Sequence, residues 1–163
     1  MNLIDTHCHL THGRLRPQLQ AVLARARQAG VRAMICAAGD LDESRAAVAL
    51  AHRQPDVYSL AGVHPHEAKD APADFLARLE SLATDAKTVA VGEIGLDYHY
   101  NFSPPADQRR IFSEQIQLAR RLERRIVVHT REAFADTMAI LRESGIDGRD
   151  AVFHSCTEGP ENV

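Results

Sequence analysis

The sequence predicts an α/β fold, a TIM-type βα barrel that is incomplete, with about six parallel strands and intervening helices. Short apolar runs alternate with longer segments of helical period, which is typical of repeated βα units. The predicted strands are apolar throughout, so we expect both faces to be covered, as in a barrel or a doubly wound sheet. No glycine-rich dinucleotide motif follows a strand, and no linker interrupts the pattern. We therefore predict a single domain over residues 1–163.

The elements follow one another in a regular order. The predicted strands are the apolar runs 2–6, 33–37, 57–63, 88–91, 125–128 and 151–153. Apolar residues at helical spacing predict intervening helices over 15–26, 42–52, 73–83, 106–123 and 132–143. Gly30 suits the end of the first helix, because glycine adopts a left-handed conformation readily. Pro104 and Pro105 suit the start of the fourth helix.

The composition is that of an ordinary globular chain. Of its 163 residues, 45% are hydrophobic and 25% are charged, which allows one domain with a proper core. The net charge of −3 argues against a large basic surface for nucleic acid, since that mode of binding needs many unopposed cations. The three cysteines are far apart and lie in or beside apolar runs, so we expect reduced, mostly buried thiols.

Targeting signals are not evident in the sequence. No apolar stretch approaches the length that crosses a bilayer, and the amino terminus does not show the charged segment and apolar run of a secretory signal. We therefore expect a cytoplasmic protein without membrane contact.

Most of the predicted strands are followed by a histidine or a glutamate. These residues are His7 and His9 after the first strand, His64 after the third, Glu93 after the fourth, His129 after the fifth and His154 after the sixth. In a parallel barrel the carboxyl ends of the strands converge on one rim, where barrel enzymes build their active sites. His7 and His9 are two residues apart in an extended segment, so both imidazoles point to the same face. We therefore predict a metal site at this rim.

The types of ligand narrow the choice of metal. Imidazoles and a carboxylate, with the thiols facing elsewhere, favour zinc, manganese, iron or a magnesium-type ion over a sulfur-bound structural zinc. Four histidines and one glutamate are many ligands for a single ion. If Glu93 bridges an ion held by His7 and His9 to another held by His129 and His154, the result is a two-metal site. Such sites hydrolyse phosphoesters with water as the nucleophile.

Five segments resemble the motifs of the TatD family of metal-dependent deoxyribonucleases, in order and in spacing. They are Asp5–His9, Gly62–His66, Gly92–Tyr98, His129–Arg131 and His154–Thr157. The resemblance implies a barrel, two divalent ions (Mg, Mn or Zn), and cleavage of phosphodiester bonds in DNA, single-stranded or at ends. By position it implies that Glu93 bridges the two ions and is catalytic. It also implies that His64 is catalytic and faces the substrate phosphate.

Two further residues are candidates for substrate binding. His66 lines the mouth of the predicted site or is a solvent-facing residue of the loop after Pro65. Arg131 lies two residues beyond His129, so it is on the same side if the strand continues, and it binds phosphate or forms a salt bridge at the start of a helix.

The sequence also departs from the family. Members continue into later strands, one of which ends in an aspartate that ligates the first ion, and Glu158 and Glu161 do not match that aspartate. The chain thus resembles an amino-terminal portion, and we expect open strand edges, self-association and doubtful activity of the isolated chain. Two alternatives stay open: an amidohydrolase-like enzyme acting on another bond, and a catalytically silent metal-binding fragment.

Overall fold

The computed structural model describes residues 2–157. The strands are β1 (Leu3–Cys8), β2 (Val31–Cys36), β3 (Val57–Ala61), β4 (Thr88–Asp97), β5 (Ile126–Arg131) and β6 (Ala151–His154). The α-helices are α1 (Leu19–Gln28), α2 (Leu41–Arg53), α3 (Phe75–Ala83), α4 (Pro105–Arg121) and α5 (Phe134–Ser144). Short 3-10 turns span Arg16–Gln18, Pro65–Asp70 and Gly148–Asp150.

The strands form one sheet in chain order, and every neighbouring pair is parallel. Within residues 2–157 this is a curled half-barrel with helices in the connections, which confirms the predicted fold class. Gly95, His129 and His154 are register neighbours across β4, β5 and β6. The side chains of His129 and His154 therefore leave the sheet at one level and on one face.

The core lies mainly between the sheet and α3 and α4. Phe112, Ile116 and Leu79 are almost fully buried there. A second cluster packs α1 and α2 against the first two strands, with Leu23 and Met34 at its centre. No helix among residues 2–157 has the length and apolar character needed to span a membrane.

The prediction that both faces of every strand are covered is wrong for the two edges of the sheet. Leu3 and Ile4 in β1 are 42% and 63% exposed, and Val152 in β6 is 53% exposed. These strands each pair on one side only within the described part of the chain. An apolar run indicates burial somewhere, but it does not show whether the covering partner is present.

The fourth strand is longer than predicted, because it continues through two glycines to Asp97. Glu93 therefore lies inside β4 rather than beyond its end. Residues Glu93, Gly95 and Asp97 alternate with the buried Ile94 and Leu96, so they share one face of the strand.

Glycine at position 95 permits the close approach of β4 and β5. Its φ is +145°, and a Cβ placed there would lie 1.9 Å from the carbonyl oxygen of His129. An L side chain cannot occupy that space without moving the strand that carries His129.

The first helix also begins later than predicted. Pro17 lies in the 3-10 turn Arg16–Gln18, and the regular helix starts at Leu19. The end of this helix is as predicted, because Gly30 follows it with φ of +89°. The fourth helix begins at Pro105, which agrees with the preference of proline for the first helical turn.

Two buried glutamines of α4 hold the strand ends that carry the site. Gln108 and Gln115 are seven residues apart, so both face the sheet, and both are fully buried. The Gln115 side chain accepts from the N–H of Val63 (2.8 Å) and donates to its carbonyl (3.0 Å). Gln108 makes the same pair of bonds with the backbone of Asp97, at 2.8 and 3.0 Å. The backbone next to His64 and at the end of β4 is thereby fixed.

Candidate metal centre

All of the predicted ligands except His7 line one open cleft at the carboxyl ends of the strands. The cleft has a volume of about 590 Å³. Its lining includes His9, His64, His66, Glu93, His129, Arg131 and His154. The parallel order of the strands explains this gathering, since each strand delivers its last side chains to the same rim.

Glu93 is the carboxylate at the centre of the cluster. Its Oε2 lies 3.1 Å from Nε2 of His7, and its Oε1 lies 3.1 Å from Nδ1 of His129. The side chain is 5% exposed. Burial by itself raises the pKa of Glu93, but His129 and His7 outweigh that effect and hold the pKa below its ordinary value. Glu93 is therefore ionised although it is buried.

His7, His9 and Glu93 form the first group that could hold a metal. One ligand atom from each side chain lies within 4.8 Å of the others. Partial desolvation, followed by the neighbouring His7, lowers the pKa of His9 and favours the neutral ring that binds metals.

The state of His7 provides a test of whether this group suits a metal. Its side chain is 8% exposed, and within residues 2–157 neither ring nitrogen has a hydrogen-bond partner. The short approach of Nε2 to Glu93 does not have the alignment of a hydrogen bond. Buried polar nitrogens without partners are costly, and a cation between the imidazoles and the carboxylate would satisfy them. The donor set therefore fits a divalent ion.

His64, Glu93 and His129 form the second group, again with ligand atoms within 4.8 Å of one another. Burial, reinforced by the neighbouring His129, lowers the pKa of His64 to about 3. The backbone N–H of His66 donates to Nδ1 of His64 at 3.2 Å. In the neutral ring the proton must then be on Nε2, which leaves that nitrogen as a donor.

His154 lies in the same cleft but in neither group. It is the register neighbour of His129, so both side chains leave the sheet on the same face. Its ring stacks on that of His7, with centroids 3.5 Å apart. Burial, followed by the neighbouring His7, lowers the pKa of His154.

Asp97 is not among the site residues predicted from the sequence, but the structure gives it a place in the site. It is fully buried, and its Oδ2 lies 2.8 Å from Nε2 of His66 and 3.2 Å from Nε2 of His129. His66 is half-buried, and its contact with Asp97 holds the ring in place. The alternation Glu93–Gly95–Asp97 was the available signal, and the assumed end of the strand at residue 91 concealed it.

The remaining candidates lie around the rim. Arg131 is exposed, lines the cleft, and places its guanidinium 4.8 Å from the centre of the Tyr100 ring. His99 is exposed, and its Nδ1 lies 2.7 Å from Oε1 of Glu132. His12 is also exposed, and it lines the cleft. Glu158 and Glu161 lie outside the described residues.

Several known proteins are similar to this chain. A family model described as "TatD related DNase" matches residues 4–163. The "3'-5' ssDNA/RNA exonuclease TatD" of Cronobacter sakazakii is 38% identical over 159 residues, which are 98% of this chain and 60% of that protein. The "Uncharacterized metal-dependent hydrolase YabD" of Bacillus subtilis is 33% identical, over 98% of this chain and 62% of that protein. The chain thus spans about 60% of the length of these curated relatives.

Solved structures agree with the sequence relatives. The crystal structure of YJJV, a TatD homolog from Escherichia coli K12, matches with a TM-score of 0.90 at 30% identity, over 98% of this chain and 62% of that one. A phosphotriesterase homology protein from Escherichia coli matches with a TM-score of 0.66 at 14% identity, over 93% of this chain and 61% of that one, and this likeness concerns the fold alone. From the match over residues 4–163, the chain belongs to the family of TatD-related DNases.

Proposed function

We propose that this chain carries the metal site of a divalent-metal-dependent hydrolase that cleaves phosphodiester bonds in DNA, in single strands or at ends. The observation that carries the proposal is the position of Glu93, whose two oxygens face imidazoles of two different ligand groups. A carboxylate in that position can bridge two cations. The relatives named exonuclease and metal-dependent hydrolase support the same reading.

We assign His7, His9 and Glu93 to one ion, and Glu93, His129 and His154 to the other. The ions are Mg, Mn or Zn, because nitrogen and oxygen donors suit these metals. When bound, such a pair activates a water and neutralises charge on the phosphate.

The protein itself positions the substrate and holds the ligands in place. Glu93 stays ionised because two imidazoles face its oxygens. His64 remains a neutral ring whose Nε2–H can donate to a phosphate oxygen. Arg131 supplies a cation at the rim of the same cleft. His66, anchored by Asp97, adds a second imidazole at the rim and is our other substrate-binding candidate.

The alternative function is that of an amidohydrolase-like enzyme acting on another bond, such as a carbon–nitrogen bond. The cleft does not contain the lysine that some enzymes of that kind use. A carbamylated lysine can bridge two ions, but the two lysines of the chain lie elsewhere. Lys69 is exposed in the turn after His64, and Nζ of Lys87 donates to the carbonyls of Pro55 and Val57 near the start of β3. Neither lines the cleft.

The test is nucleotide release from a single-stranded oligodeoxynucleotide by the 163-residue chain. Parallel reactions contain Mg²⁺, Mn²⁺ or Zn²⁺, or an excess of chelator, and a second series offers an amide substrate. We expect weak, metal-dependent nucleotide release that Glu93→Gln abolishes and Val89→Ala, remote from the cleft, preserves. Release that survives exhaustive chelation, or amide hydrolysis without nucleotide release, would contradict the proposal.

A further inference from the structure

Two exposed aromatic rings lie beside the cleft. Among residues 2–157 the large apolar side chains left exposed are Leu3, Ile4, Val89, Tyr100, Phe102 and Val152. Four of them belong to strands, whereas Tyr100 and Phe102 lie in the loop between β4 and α4. Their rings are stacked, with centroids 5.3 Å apart and planes inclined by 14°. Tyr100 is 47% exposed and Phe102 is 56% exposed, so Phe102 is the more open ring.

The pair is connected to the metal ligands by direct contacts. The His66 ring meets Phe102 edge-on at 4.7 Å and Tyr100 at 5.6 Å. His66 shares the carboxylate of Asp97 with His129. Tyr100 lines the cleft itself, and the Arg131 guanidinium lies over its ring. The aromatic surface is therefore continuous with the site.

Hydrogen bonds on both sides of the two rings hold this loop in place. Oδ1 of Asp97 accepts from the backbone N–H of His99 (3.0 Å) and of Tyr100 (2.9 Å). Ser103 is fully buried, and its hydroxyl donates to the His66 carbonyl at 2.7 Å. The loop is thus fixed on both sides of the two rings. Because the rings are half exposed, they do not fill a core.

A flat exposed ring beside a cation is suited to an unpaired base on a phosphate backbone. Bases stack on aromatic side chains in single-strand sites, and arginine contributes both stacking and charge. The chain as a whole has a net charge of −3, so local contacts such as base stacking and the Arg131 cation must contribute affinity that a basic surface would otherwise give.

We propose that Tyr100 and Phe102 form a stacking platform for an unpaired base of a single-stranded nucleic acid whose backbone enters the cleft beside Arg131. The inference rests on the proposed phosphodiesterase function and specifies how its substrate is held. It predicts that affinity depends on the presence of bases and not on phosphates alone.

The chain contains no tryptophan, so Phe102→Trp introduces a single indole fluorophore into the platform. The probes are a short phosphorothioate-linked oligothymidylate, which resists hydrolysis, and an abasic strand with the same linkages, both with Mg²⁺ present. We expect oligothymidylate to quench the indole fluorescence and the abasic strand to leave it unchanged. Equal quenching by both strands, or quenching by neither, would overturn the platform.

A second measurement uses substitutions that distinguish the effect of the aromatic ring from the effect of apolar surface area. Phe102→Ala and Phe102→Leu should each raise the Kd for oligothymidylate about 5-fold or more, because both remove the π-face. Val89→Ala, remote from the platform, should bind as the parent does. Binding of the abasic strand should not change in any variant. If Phe102→Leu binds oligothymidylate as the parent does, the stacking platform is refuted, whether or not the parent releases nucleotides with metal.

The proposed nuclease function is tested separately. If the parent releases no nucleotides, that function fails, while base-dependent quenching would still support the platform.

Discussion

The imidazole of His7 stacks on that of His154, with ring centroids 3.5 Å apart and ring planes inclined by 8°. These residues belong to β1 and β6, which do not pair with each other in the described part of the chain. The ends of the two outermost strands nevertheless meet, because the sheet curls. Burial, followed by the neighbouring His7, lowers the pKa of His154 and favours its neutral ring.

The first prediction concerns the second ion. His154→Ala should remove one of the two metal equivalents, because only Glu93 and His129 would then remain to hold that ion. His64→Ala should keep both equivalents and lower turnover by about 10²-fold, since it removes a donor to the phosphate. Elemental analysis of dialysed protein, combined with nucleotide release, separates the two effects. The reverse pattern would assign His64 to the ion, which its proximity to Glu93 and His129 permits.

The second prediction concerns Asp97. Asp97→Asn should lower metal affinity or activity by about 10- to 100-fold, because an amide cannot replace a carboxylate that faces two imidazoles. Asp136→Asn is a suitable control, since Asp136 binds Tyr98 and Arg109 outside the cleft. Metal titration by calorimetry gives the affinities of both variants. Unchanged affinity in Asp97→Asn would show that Asp97 supports only the loop.

The third prediction concerns the open edges of the sheet. We expect the 163-residue chain to self-associate, because Ile4 is 63% exposed on β1 and Val152 is 53% exposed on β6. Ile4→Lys should reduce this association, as charges on edge strands do. Val89→Lys places the same charge on β4, which pairs on both sides, and should have no effect. Light scattering across a concentration series measures the association. A monomeric parent at all concentrations would refute the prediction.

The fourth prediction concerns stability against pH at a site remote from the cleft. The guanidinium of Arg27 donates to both carboxylate oxygens of Asp56, at 2.8 and 2.7 Å, and lowers the pKa of Asp56 below 3.8. A lowered folded-state pKa stabilises the fold above the unfolded-state pKa and loses that effect as the pH falls through the folded-state value. Both groups are partly exposed, so the contribution should be about 0.2–1 kcal/mol.

The variant for this measurement is Arg27→Gln, compared with the parent by urea unfolding over a range of pH. The difference in free energy of unfolding should be constant at neutral pH. It should begin to shrink below about pH 4, where Asp56 of the unfolded chain becomes protonated, and shrink further as the pH falls through the lowered folded-state pKa. A difference that grows on acidification would have the wrong sign and would exclude this ion pair as its cause.

The sequence predicted the order of elements well, because apolar period and strand-end residues depend on local spacing. The sequence also predicted that His7, Glu93 and His129 lie close together, because the carboxyl ends of parallel strands meet at one rim. The length of β4 could not be predicted from the sequence. Gly92 and Gly95 interrupt the apolar run, but β4 continues to pair with β5 as far as Asp97.

The contacts within the site could not be predicted from the sequence, for a different reason. The position of Asp97 between His66 and His129 depends on the register of β4 against β5, and the bulge between Val91 and Ile94 shifts that register. The backbone bonds of Gln108 and Gln115 likewise join residues far apart in the chain. Spacing predicts which residues share a face, whereas packing decides which of them touch.

The proposed sharing of Glu93 by two ions can be tested by one direct measurement. The most direct measurement is the anomalous diffraction of crystals of the 163-residue chain grown with Mn²⁺. We predict two peaks about 3.5–4 Å apart on either side of the Glu93 carboxylate, and neither peak in Glu93→Gln crystals. A single peak, two peaks away from Glu93, or two peaks that persist in Glu93→Gln would contradict the claim.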